Sequence, residues 1–178
     1  MNLVDFYLGV APDYQGRTLR DIWTWDHDRL EQVHDYIQVL FPLPERSMFS
    51  SRAPILRDQE IRKFRTNAAL LDNLVRSFRL MLDFYGLEMQ EDSVAIRKSA
   101  HFPRRADNWL TMGNHNMLRI TRILKCLRLC GLEEHARAFL ACLLGLYAEC
   151  PREIGAETLA YWKDAVNDSR SDAGETGR

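Results

Sequence analysis

The residues most able to do chemistry sit in Asn114-His115-Asn116-Met117-Leu118-Arg119-Ile120-Thr121-Arg122. His115, Arg119, Arg122 and Cys126 recur at i, i+4, i+7 and i+11, so on a helix they form one polar line. A second line, Glu31, His34 and Gln38, lies in an earlier segment with the same periodicity. Arginines inside a helical body need carboxylates, carbonyls or an anionic ligand. If the two segments pack together, Glu31 or Asp35 neutralises Arg119 or Arg122, and the result is a buried network that fixes helix register. The functional alternative is a groove in which Arg119 and Arg122 hold a carboxylate or phosphate while His34, Gln38, Asn114, His115 and Asn116 orient it. The free carboxylate of a peptide or a small anion would suit such a groove. Both readings stay open at this point.

Other chemistry finds less footing. There is no His-Glu-x-x-His, nucleophile elbow or Walker loop. A hydrolase or transferase using His34 or His115 with Glu31 rests on residue types alone, and no enzyme activity is expected. Cys126 and Cys130 stand one turn apart, but no Cys-x-x-Cys pair accompanies them, so no metal and no cofactor is expected. The thiols suit a reducing compartment as small buried hydrophobes. Arg97, Lys98, His101, Arg104 and Arg105, with Trp109, form a basic stretch that could touch nucleic-acid phosphates. The whole-chain formal charge of −1 offers that alternative no support.

These lines need rods to carry them. The 178 residues, 46% hydrophobic, suit one all-α domain: a bundle of about six helices with one long helix and a buried central helix. Residues 1–17 are a Gly- and Pro-containing lead-in that docks on the body, 18–166 the helical domain, and 167–178 a Ser-, Asp- and Gly-rich disordered tail. A short helix over Thr18–Trp23 is followed by one from Asp26 to Leu40, with Leu30, Val33, Ile37 and Leu40 inward. The longest runs from Asp58 to Gly86 on an unbroken stripe that includes Phe64, Leu71, Val75, Phe78 and Leu82. Leu70, Leu74 and Met81 broaden that stripe, which favours globular packing over a dimeric coiled coil, although monomer and homodimer both remain open. In the central helix Met117, Ile120, Ile123, Leu124 and Leu127 make one apolar face, and Leu118 and Leu129 make another. Two further helices follow, at about Glu133–Tyr147 and Gly155–Val166. No strand is expected. No apolar run is long enough to span a bilayer, and the start lacks the features of a secretory signal, so a cytoplasmic protein is expected.

Two stretches resemble a known family. His34-Asp35-Tyr36-Ile37-Gln38-Val39-Leu40-Phe41-Pro42-Leu43 is similar to an H-x-Y-I-Q-W-L-F-P block, and Asn114–Leu124 to an H-N-x-L-R-I-T-R-I-L block, of the opioid growth factor receptor conserved region. Trp25, Leu30, Glu31, Phe6-Tyr7 and Gly16-Arg17 also fit. The resemblance implies a helical domain without enzyme activity. In animals the family is linked to binding of the pentapeptide Met-enkephalin, negative control of proliferation, and association with the nucleus and its membrane. Val39 departs from the pattern, standing where the family usually has Trp. The chain also ends soon after the shared region, as a compact bacterial member would, and in a bacterium opioid signalling is not the expected role. The family supplies no residue-level ligand map.

Overall fold

The computed structural model describes residues 1–46 and 52–167. Eleven helices and one hairpin are found among them: α1 (Leu3–Tyr7), α2 (Leu19–Trp23), α3 (His27–Gln32), α4 (Tyr36–Leu40), α5 (Asp58–Thr66), α6 (Ala68–Tyr85), β1 (Leu87–Met89), β2 (Ile96–Lys98), α7 (Phe102–Trp109), α8 (Asn116–Leu129), α9 (Glu133–Glu149), α10 (Pro151–Ile154) and α11 (Ala156–Asn167). Most of the tail expected over 167–178, and residues 47–51, lie outside the described residues. No helix among the described residues is long and apolar enough to cross a membrane.

The six-helix expectation fails chiefly at two breaks. The helix expected over Asp26–Leu40 is split in two, because Val33 leaves α3 in an extended conformation (φ −90°, ψ 129°) and α4 restarts after Asp35. The long helix expected from Asp58 to Gly86 breaks at Asn67 (φ −117°, ψ 110°), whose side chain accepts from Leu70 N at 3.2 Å and caps α6. Hydrophobic spacing runs through both breaks, so it could not reveal them. Along α6 the buried positions are Leu70, Leu74, Ser77, Phe78, Met81, Leu82, Phe84 and Tyr85, whereas Leu71 and Val75 are only half-buried.

The expectation of no strand also fails. Gly86, in the left-handed region at φ 74°, ends α6 and turns the chain into β1, which pairs antiparallel with β2 in the register Leu87↔Lys98, Glu88↔Arg97 and Met89↔Ile96. Three-residue strands are too short to show an alternation. A Cβ on Gly86 would lie 2.7 Å from Phe102 Cα, so α7 is seated directly on this turn.

The core is one continuous cluster that includes the lead-in, where Phe6 and Tyr7 are fully buried and the Tyr7 hydroxyl donates to Leu40 O. Helix α8 packs against α9 and α11, with Ile120, Ile123, Leu124 and Leu127 fully buried. Trp162 of α11 is also fully buried and donates its indole N–H to Met117 O at 3.2 Å. The second apolar side expected of this helix is only half real. Leu129 is buried, but Leu118 is 59% exposed. Cys126 and Cys130 are buried free thiols.

Candidate functional site

The two polar lines do meet, along a seam between α3–α4 and the first two turns of α8. The break between α3 and α4 creates it. A helix that stops leaves its last carbonyls without intrahelical partners and a partial negative charge at its end. Arg119 fills that end. Its Nη1 donates to Leu30 O at 3.0 Å and to Asn116 Oδ1 at 3.2 Å. Its Nη2 donates to Val33 O at 3.2 Å and to His34 Nδ1 at 2.9 Å, with Glu31 O further off at 3.5 Å. All four Nη hydrogens are therefore taken by the protein. The carboxylate of Glu31 lies 3.6 Å from Nη1 and supplies the counter-charge, and the guanidinium rests over the Tyr36 ring. Arg119 is 5% exposed, so this compensation is obligatory.

Arg122, one turn on, faces the end of α4. It donates from Nη1 to Phe41 O at 3.1 Å, and among the described residues its other N–H groups have no hydrogen-bond acceptor. Burial holds its pKa below the usual guanidinium range, against the pull of Cys126 and Glu45. Glu45, the neighbouring carboxylate, is held instead by Lys125. Lys125 and Glu45 were not among the residues expected in the site. Lys125 stands at i+3 from Arg122, a spacing that could have suggested it.

The remaining expected site residues divide by exposure. Asn116 is fully buried and donates to Glu31 Oε2 at 3.2 Å and to Asn114 Oδ1 at 3.0 Å. Asn114 spans the turn before α8. Its Nδ2 donates to Asn108 O and Thr111 Oγ1, both at 3.1 Å, while its Oδ1 accepts from Asn116 N at 2.9 Å. Gln38 is buried, and its amide in the satisfying orientation donates to Asp35 O at 2.8 Å and His34 O at 3.1 Å, so it faces its own helix start rather than a groove. His34 and His115 are exposed and meet edge to face with centroids 5.2 Å apart. Accepting from Arg119 at Nδ1 fixes His34 in the tautomer protonated at Nε2. His115 Nε2 lies 3.4 Å from Glu31 Oε1. Partial burial, with Arg119 and His34 nearby, lowers the His115 pKa despite Glu31.

Asp35 does not neutralise either seam arginine. Its carboxylate turns to the lead-in, accepting from Arg17 Nη1 at 2.9 Å and Nη2 at 3.1 Å and from the Tyr14 hydroxyl at 3.0 Å. Burial would raise its pKa, but the Arg17 guanidinium prevails and holds it below the ordinary carboxylate value. The bidentate grip explains why a loop-like segment is seated firmly. Only the resemblance singles out Arg17 in the sequence, since partners so far apart in the chain have no local signature.

Arg97, Lys98 and Arg105 of the basic stretch are engaged by the protein itself. Arg97 pairs with Glu88 at 2.7 Å, and Lys98 pairs with Glu149 and lies over the Phe102 ring. Arg105 is buried and donates to Phe84 O at 2.8 Å. Trp109, fully buried, donates to Tyr85 O at 3.0 Å and offers no stacking surface. His101 and Arg104 are exposed, and among the described residues neither side chain has a hydrogen-bond or ion-pair partner.

Residues 3–173 match the opioid growth factor receptor (OGFr) conserved region. The human opioid growth factor receptor is 40% identical over 113 residues, 62% of this chain and 16% of that protein. The mouse opioid growth factor receptor is 39% identical over 114 residues, 64% of this chain and 18% of that protein. The opioid growth factor receptor-like protein 1 of Xenopus tropicalis is 30% identical over 171 residues, 93% of this chain and 33% of that protein. This chain thus spans a third or less of each of these relatives. No solved structure matches it. These relatives are vertebrate proteins, and the expected bacterial origin is not borne out. Matched over nearly its whole length, and carrying at the α4–α8 seam the two blocks that first suggested the likeness, the chain belongs to the opioid growth factor receptor conserved-region family.

Proposed function

We propose that this chain is a non-enzymatic binding domain whose ligand presents an anionic group, a carboxylate or a phosphate, to Arg122 at the α4–α8 seam. The observation that carries this reading is the unequal filling of the two arginines. Arg119 has given its Nη hydrogens to the end of α3, to Asn116 and to His34, whereas Arg122 keeps most of its donors beside a single carbonyl. A half-buried guanidinium in that condition gains by receiving a charged acceptor. Arg119, Asn116 and Gln38 then position the seam from beneath, and His34, His115 and Asn114 form its solvent-facing rim. Relatives named as receptors for an opioid growth factor favour a ligand that carries a free carboxylate, as a peptide does.

Calorimetric titration with the opioid pentapeptide and with its C-terminal amide tests this. The free acid is expected to bind, with affinity lowered about tenfold or more by amidation and by Arg122→Gln. Binding that is absent, or that ignores both changes, overturns the reading.

A further inference from the structure

A cleft of about 370 Å³ opens between α1, α2 and α6, with no residue in common with the seam. Leu8, 41% exposed, gives it an apolar rim above a floor of buried Tyr7 and Leu19, and Arg20 and Arg76, beside Trp23, line it with cationic groups. We propose that this cleft is a second binding site, for a small carboxylate carrying one apolar arm and an amide N–H, the chemistry of an N-acylated amino acid or the last residue of a peptide.

The cationic side comes first. The Arg76 guanidinium lies 4.1 Å from the Trp23 ring centroid. One of its faces is thus covered by indole, and its in-plane N–H edge is left to meet a planar anion. Among the described residues no carboxylate pairs with Arg76 or Arg20. The acid nearest Arg20 in sequence, Asp21, is turned back on Thr18, accepting from its N and Oγ1 at 2.7 Å each. Two exposed guanidinium groups lining one cleft, with no ion-pair partner among the described residues, favour an anionic guest.

The wall is also held in advance of binding. The Trp23 indole N–H donates to Ser77 Oγ at 3.0 Å, and the fully buried Ser77 hydroxyl donates to Asn73 O at 2.9 Å. Asn73 Nδ2 donates to Tyr7 O at 2.6 Å. That bond orients the Asn73 amide and leaves its Oδ1 as an acceptor for an N–H of the guest. A wall fixed in this way loses little entropy on binding. The volume lies near the lower end of ligand pockets and suits a guest of about one residue with its acyl group.

The test follows the Trp23 indole signal by 1H–15N NMR while N-acetylleucine is added. A saturable shift is expected, with affinity about tenfold or more weaker for N-acetylleucinamide and for Arg76→Gln, and unchanged in Arg122→Gln. A tetrapeptide ending in leucine that binds tighter than N-acetylleucine would assign the guest to a chain end, and equal binding to a small free acid; either upholds the site. Circular dichroism separates lost binding from lost folding, and Arg76→Lys, which keeps the charge but not the fork, is expected to fall between wild type and Arg76→Gln. No shift at about 20 mM acid, equal binding of the amide, or indifference to Arg76→Gln overturns the proposal. Weakening by Arg122→Gln instead would move the acid to the seam and also overturn it.

Discussion

Arg119 and Arg122 stand one turn apart on α8, and the protein completes one and leaves the other open. Arg119 meets the end of α3, where the chain leaves the helix at Val33 and exposes several carbonyls together, and it takes two of them along with Asn116 and His34. Arg122 meets the end of α4, where it takes only Phe41 O. The difference lies in the facing chain rather than in the arginines. The α3 end, breaking into an extended residue, offers a cradle of acceptors, whereas at the α4 end the Leu40 carbonyl is already taken by the Tyr7 hydroxyl and Arg122 is left with Phe41 O. A polar line on a helix therefore does not announce which of its members is structural.

The widest expected separation between the two is in stability. Arg119→Leu leaves buried carbonyls, Asn116 and the Glu31 carboxylate without their partner, and a loss of about 3–5 kcal/mol is expected in urea unfolding. Arg122→Leu removes one bond to a carbonyl, and a loss of about 1–2 kcal/mol is expected. Equal losses would erase the contrast.

A smaller effect concerns pH. The pKa of His115 is lowered in the folded state by partial burial and by Arg119 and His34, with Glu31 opposing. The unfolded chain therefore binds more protons as pH falls through about 6.5, and the stability present above that value is lost toward the lower folded value. His135 is shifted in the same direction, chiefly by burial, and adds to the trend. Urea midpoints measured from pH 7.5 to 5.5 should therefore fall, and less steeply in His115→Gln than in wild type. An unchanged slope in that variant would detach His115 from the Arg119 cluster.

Much of the seam was legible in the sequence because helical spacing is a local property. The line His115, Arg119, Arg122, the second line of Glu31, His34 and Gln38, and the apolar face from Ile120 to Leu127 follow from period alone, whereas the meeting of the two lines is expected only conditionally, from charge complementarity. What escaped was set by contacts between distant parts of the chain or by breaks that keep the hydrophobic period. Val33 and Asn67 interrupt helices whose apolar spacing continues across them. Gln38 reads as a ligand group from its periodicity but is buried against Asp35 and His34. Asp35 reads as a partner for α8 and is claimed by Arg17. The hairpin after Gly86 is too short to carry a pattern, and the Arg76–Trp23 stack joins residues that nothing local connects.

The contrast between the two guanidinium groups is most directly tested by 15N NMR of the arginine side chains, with inorganic phosphate added to about 10 mM. Arg119 should show separate Nη signals from restricted rotation and no response to phosphate, while Arg122 should show averaged signals that shift as the anion is added. A shift at Arg119 with Arg122 silent, or the same behaviour at both, would contradict the division of one brace and one open donor.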